Sequence, residues 1–392
     1  MSGLGTPREP SEKQEHEFEG IVGQGLIMKT LSTLILAIGV AVPSVAQTRP
    51  EPSTFFKEYI GLKDDEIASI EGGKPVAKVL STQMPSEVAV FGAIRISASP
   101  EEFLKAVETL DYLQNSPSYL AVRQISSPPK QSDFEGFVLE DQDIKDLQNC
   151  RPGKCQLQLP VESMEEFQNA VDWSAADASA QVNRLAQKMA LQEMINYQQN
   201  GNSALGAYSD KDQPASVIRQ FETLLRQSSP LSHYLPDLEQ YLIGYPQVQL
   251  PDAQDVFYWE KVKFGLKPTL RMNHAIIYRV PKPSQQINAI AIKQLYASHY
   301  FQTALDVSVC AKDNTRQQDT GFYLITIKAS RQAGLTGPKG SVIRKAAVSR
   351  TCSSLEKSLA HIKRVLESGQ GSAARGNQRL QMTRARNLTT DH

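Results

Sequence analysis

No stretch of this chain stays apolar for long. Its most apolar run, Leu31–Val42, has 12 residues, whereas a helix needs about 20 to cross the ~30 Å hydrocarbon core of a bilayer. A polytopic membrane protein is therefore excluded. A surplus of charge is missing too: Lys+Arg is 42 and Asp+Glu is 42, for a formal net charge of zero. Phosphate neutralisation needs a basic surplus or stripe, so nucleic acid is excluded as the main partner. Four cysteines in 392 residues are too few for a disulfide scaffold. No repeat recurs along the chain. What remains is ordinary for a folded protein, with 40% hydrophobic and 21% charged residues. The length is ample for one large core.

The N-terminal region carries an address. Met28-Lys29-Thr30 places one cation before the apolar run, and Pro43-Ser44-Val45-Ala46 follows it. Small residues at Ser44 and Ala46 suit signal-peptidase cleavage after Ala46. Residues 28–46 therefore read as a signal peptide, and 1–27, rich in glutamate, as an upstream extension or disordered leader. The mature chain is expected to begin at Gln47, in the periplasm or outside the cell, with no stable membrane span after cleavage.

Export changes how the cysteines read, because disulfides persist outside the cytosol. Cys150-Arg-Pro-Gly-Lys-Cys155 encloses a Pro-Gly turn that brings its ends together, and a disulfide is expected there. A ring this small stabilises by only about 2 kcal/mol on the loop-entropy model. The spacing is not that of a metal site, and no metal is expected. Cys310 and Cys352 are read as separate cases, with a bridge between them left open.

Periodicity orders the rest. Short helix and strand signals cover 62–80. Glu87–Ser97 alternates, with Val88, Val90, Ile94 and Ile96 on one face and Gly92 among them, the mark of a bulge or a close approach of backbone. Ser99-Pro100-Glu101-Glu102 caps a helix that buries Phe103, Leu104, Val107 and Leu110. Residues of about 113–250 read mainly as helices and loops, including helices over 141–148, from Ser163 to about Val171, over 174–199 and over 216–226. From 255 the period switches to two, with strands over 255–262, 269–280, 287–300, 302–311 and 322–330. The stripe Val348, Cys352, Leu355, Leu359, Ile362, Leu366 marks a long C-terminal helix, and 368–392 reads as a disordered basic tail. The fold class is thus α+β: an antiparallel sheet packed on a long C-terminal helix, in one domain over 47–367, with a mostly helical insertion.

This order, over Val88–Val107 and Asp255–Leu366, resembles the START-like superfamily (SRPBCC, polyketide cyclase/lipid-transfer). The departure is the insertion of some 140 residues and an extra strand before Val88. The resemblance implies a hydrophobic small molecule or lipid held in a cavity between the sheet and the C-terminal helix.

Motifs for chemistry are few. Gly334-Leu-Thr-Gly-Pro-Lys-Gly-Ser341 has lysine and hydroxyl in the wrong order for a phosphate loop and reads as a turn and cap. In 269–280 one face carries Leu270, Met272, His274, Ile276 and Tyr278, and the other Thr269, Arg271, Asn273 and Arg279. The first reads as buried. A buried histidine needs a hydrogen-bond partner, for which Asp306, Tyr296 and Tyr300 are candidates. Tyr296 and Tyr300 are expected to share a strand face, with His299 on the other. His274, Tyr278, Met272, Tyr296 and Tyr300 are accordingly the candidate pocket residues; no catalytic residue is assigned, and no cofactor is expected. A non-catalytic, exported ligand-binding protein is the leading expectation. Its rivals are a structural or interaction protein of the cell envelope, and an enzyme using His274 and the tyrosines as acid/base groups.

Overall fold

The computed structural model describes residues 51–114, 118–227, 235–263, 267–280, 287–312 and 321–387, with side chains to 368. The leader and signal segment, 1–46, and the polar turn 313–320 lie outside the described residues. Eight strands form one antiparallel sheet: β1 (Val76–Leu80), β2 (Glu87–Ile96), β3 (Tyr119–Ile125), β6 (Ala253–Lys263), β7 (Pro268–Arg279), β8 (Ile287–Ala297), β9 (Phe301–Ala311) and β10 (Phe322–Gln332). Their spatial order is β1-β2-β10-β9-β8-β7-β6-β3. Two-residue strands β4 (Ala207–Tyr208) and β5 (Ala215–Ser216) pair apart from it. The protein is α+β, as the sequence predicts.

Both faces of the sheet are covered. On one lie α3 (Pro100–Glu108) and the long C-terminal helix α10 (Gly337–Asn387). Their Leu104, Val107, Leu355, Leu359, Ile362 and Leu366 pack with Val88, Val90, Ile94 and Ile96 of β2. On the other face the insertion supplies α5 (Asp141–Leu147), α6 (Val161–Ala170), α7 (Ala178–Asn200), α8 (Val217–Gln227) and α9 (Pro236–Gly244). These cover Met272, Ile276 and Tyr278 of β7 and Leu295 of β8. Farther along the same side, α1 (Pro52–Glu58) and α2 (Asp64–Glu71) cover Phe91, Ala93, Tyr323 and Ile325. A short α4 (Asp111–Gln114) follows α3.

Local chemistry sets the elements that matter. The Ser99 hydroxyl accepts from the Glu101 amide, and Pro100 opens α3 with its φ already fixed. Gly92 faces α10 so closely that a Cβ there would lie 2.6 Å from Leu355 Cδ2 and 3.0 Å from Leu359 Cδ1. The Gly92 signal is therefore close approach, with β2 in continuous register with both neighbours. Cys150 and Cys155 are bridged, their Cα atoms 4.6 Å apart. Cys310 and Cys352 are free thiols.

Several sequence expectations need correction. The insertion contains a sheet strand, β3, and a further helix, α9, that begins at Pro236. Helix α6 begins at Val161 after Pro160 and has no side-chain cap, so the Ser163 motif lies inside it. Strand β8 ends at Ala297, short of Tyr300. Tyr300 takes φ 65°, outside the strand region.

Candidate functional site

Each face of the sheet carries a cluster of polar groups. The first lies under the insertion and centres on His274. Gly201 ends α7 at φ 58°, and a Cβ there would sit 1.8 Å from the Tyr245 carbonyl oxygen. That close approach holds the end of α9 against the end of α7. Tyr197 of α7 and Tyr245 stack with centroids 5.3 Å apart, and the His274 ring packs on Phe257 at 4.5 Å and on Tyr245 at 4.6 Å. His274 is 1% exposed. Burial lowers its pKa, against the pull of Asp255, so the imidazole is neutral. Its Nε2–H then donates to Asp255 Oδ1 at 2.7 Å, and Nδ1 accepts from the Tyr197 hydroxyl at 3.0 Å. The Tyr241 hydroxyl donates to the same carboxylate at 2.8 Å.

The chain continues inward to Lys293, the cross-strand neighbour of His274. The Lys293 ammonium donates to Asn202 Oδ1 and to the Tyr197 hydroxyl at 3.4 Å, and it lies 4.3 Å above the centre of the Phe221 ring. Burial pushes the Lys293 ammonium down to about 7. Burial alone would raise the Asp255 carboxyl, but the His274 and Tyr241 hydrogen bonds hold it below its ordinary value. Burial also raises the Tyr197 phenol well above 10, which removes a phenolate from consideration. The result is a linear network, Lys293–Tyr197–His274–Asp255–Tyr241, that fastens α7 and α9 to β6, β7 and β8.

Of the predicted pocket residues, Met272, His274, Tyr278 and Tyr296 share this face, and all four meet the insertion. They do not line a space between the sheet and the C-terminal helix, which covers the opposite face. Period-two alternation separates two faces but does not say which of two buried faces receives which helix. Tyr300 stands apart at the corner after β8, where its hydroxyl accepts from the Lys267 amide. Neighbouring His299 contacts Asp143 Oδ2 at 3.0 Å, and Lys267 bridges Asp143 and Asp146, tying α5 to that corner. Asp306, one of the candidate partners of His274, lies on the helix side, and neither Tyr296 nor Tyr300 is the partner.

The second cluster lies on the helix side and was not singled out from sequence. Arg271 Nη1 donates to Glu260 Oε1 at 3.0 Å across the β6–β7 pair. Lys328 of β10 pairs with Asp306 of β9. Asn273 and Gln294 are cross-strand neighbours between them, both without exposed surface. Tyr112, Tyr119 and Tyr258 border the charges, and Glu260 helps to raise all three phenols. Burial raises the Glu260 carboxyl despite Arg271 and Lys328. The Asn273 side chain hydrogen-bonds Glu260 and pulls its carboxyl down, while Asn273 Oδ1 and Gln294 Oε1 accept no hydrogen bond. Lys328 and Asp306 are 35% and 20% exposed, so the cluster reaches solvent at that pair. The signal available in sequence was the polar set Arg271, Asn273 on a strand flanked by other apolar strands.

Among the described residues no group of three or more His, Cys, Asp or Glu is placed to hold a metal ion, and no helix is long and apolar enough to cross a membrane. No family model, curated protein or solved structure matches the chain.

Proposed function

We propose that the chain is an exported, non-catalytic protein that binds an amphipathic small molecule or lipid on the helix side of its sheet. The observation that carries this reading is the buried polar set on that face, Glu260, Arg271, Asn273 and Gln294, in which the Asn273 and Gln294 carboxamide oxygens accept no hydrogen bond. A buried carboxamide oxygen without a donor is destabilising by about 1–3 kcal/mol, and a ligand's polar end would offset that cost. Val256, Ala275, Ile277 and Ile290 continue the same face as an apolar strip beside it. Over β2 the helix rests directly on Gly92, so the ligand would lie over β6 to β9. The apolar run at 31–42 and the Cys150–Cys155 bridge support an oxidising compartment outside the cytosol.

Native mass spectrometry of protein purified without detergent from the host envelope tests the reading. A bound amphiphile is expected on the wild type and depleted in Asn273→Leu. Repeated preparations without any adduct would overturn it. A second reading, an envelope protein with no small-molecule site, draws on the His274 network, whose polar groups hold elements to one another. An enzyme using His274 is the weakest reading, because His274, Tyr197 and Lys293 are hydrogen-bonded to one another and to Asp255 and Asn202.

A further inference from the structure

We infer that Tyr197, His274 and Asp255 form a proton path between the buried Lys293 amine and solvent, so that Lys293 gains and loses its proton while the insertion stays closed on the sheet. The path needs no bound ligand and is independent of the binding reading above. Its hydrogen bonds have a common direction. The Lys293 ammonium donates to the Tyr197 hydroxyl at 3.4 Å, that hydroxyl donates to His274 Nδ1 at 3.0 Å, and His274 Nε2–H donates to Asp255 Oδ1 at 2.7 Å. Every donor points from the inside outwards. Lys293 and His274 are each 1% exposed, whereas the Asp255 side chain is 30% exposed and meets water.

The surroundings of Lys293 favour loss of its proton. Facing the amine are Tyr197 of α7, Asn202 just beyond that helix, Phe221 of α8 and, across the strands, His274 of β7 and Leu305 of β9. None of these is a carboxylate, and Asp255 of β6 lies on the far side of His274. A buried ammonium without a counter-ion is costly, and burial brings Lys293 down to about 7. The Asn202 amide oxygen and the Phe221 ring have no proton to hand on, so the proton leaves through Tyr197. Lys293 gives its proton to the Tyr197 oxygen, Tyr197 gives its own to His274 Nδ1, His274 gives its Nε2 proton to Asp255, and Asp255 gives it to water. Each member between Lys293 and water gains one proton as it loses one. Tyr197 therefore passes through no phenolate, a form that its burial disfavours. Uptake of a proton runs the same steps in reverse. Tyr241 also donates to Asp255 but stands outside this path.

The test is NMR of the full chain labelled with 13C at lysine Cε and titrated from about pH 6 to 9. Lys293 is identified as the signal lost in Lys293→Met. In the wild type it is expected to titrate as one moving line, the mark of rapid proton exchange. Tyr197→Phe keeps the ring and removes the relaying hydroxyl. It should slow the exchange about tenfold or more, so that separate lines for ammonium and amine appear. Asp255→Asn still accepts from His274 but cannot carry a proton outwards, and should do the same. Tyr241→Phe should keep the single moving line. Separate lines in the wild type, a Lys293 signal that does not titrate, or one moving line in either Tyr197→Phe or Asp255→Asn overturns the inference. Separate lines in Tyr241→Phe would trace the effect to loosened packing and overturn it as well.

Discussion

Lys293 occupies a strand position where sequence places a lone cation among Ile290, Ile292 and Leu295. Its pKa near 7 in the folded chain, against an ordinary 10.5, makes a stability prediction with a definite sign. Between those values the unfolded chain holds the proton and the folded chain does not, so folding becomes more favourable as pH rises through the window. His274 acts in the same sense at lower pH, since burial depresses its pKa and acid favours the unfolded chain. Urea unfolding at pH 7, 8 and 9 should show wild-type stability rising with pH. Lys293→Met should flatten that slope, with its advantage over wild type largest at pH 7. A parallel pair of curves would show that the ammonium stays charged in its site. The burial of His274 was legible in the alternation of β7. Its partners were not, because Tyr197 is 77 residues distant and Asp255 19, and only strand register and helix docking bring them to it. Asn273 was legible as belonging to the other face, but a second buried face looks in sequence like a wet one when its residues are polar.

At the scale of elements, the strongest local signals were also the most faithful. The Ser99-Pro100 start of α3 and the alternation of β2 appear where the residues put them. The insertion was harder to read. Strand β3 sits at the edge of the sheet, leaves Leu120 exposed and gives no clean alternation. Helix α9 begins at Pro236, a residue that stops a helix from inside but suits its first turn. The contact of β2 with α10 gives a two-part prediction. Adding a methyl in Gly92→Ala forces it against Leu355 Cγ, 2.8 Å away, and should destabilise by about 1–3 kcal/mol. Leu355→Ala opens space at the same point, so the double variant should be less destabilised than the sum of the two single ones. Strict additivity in chemical denaturation would mean that the two elements do not meet there. Leu359→Ala, buried in the same contact, should cost about 2–5 kcal/mol, whereas Lys357→Ala on the wet side should hardly matter.

The described residues form three layers, with the sheet between the insertion and the α3–α10 pair. A sheet apolar on both sides cannot give up either cover. Helix α10 closes its side with Leu355, Leu359, Ile362 and Leu366, each buried, against a strand more than 250 residues earlier in sequence. Arg344 of the same helix donates to the Pro85 and Glu87 carbonyls, and the Ser97 amide donates to Glu367, so both ends of β2 are fastened to it. Removing the helix would expose β2 from Val88 to Ile96 and leave the backbone groups at its ends without their partners. A chain ending at residue 336 is therefore expected to be insoluble. One ending at residue 368 keeps every α10 side chain named here and is expected to unfold cooperatively near the full-length midpoint. Circular dichroism melts and size-exclusion profiles of the two truncations decide the matter. A soluble, cooperatively folding 47–336 fragment would mean that the insertion side alone sustains the sheet. The helix-side face over β2 would then be an open surface.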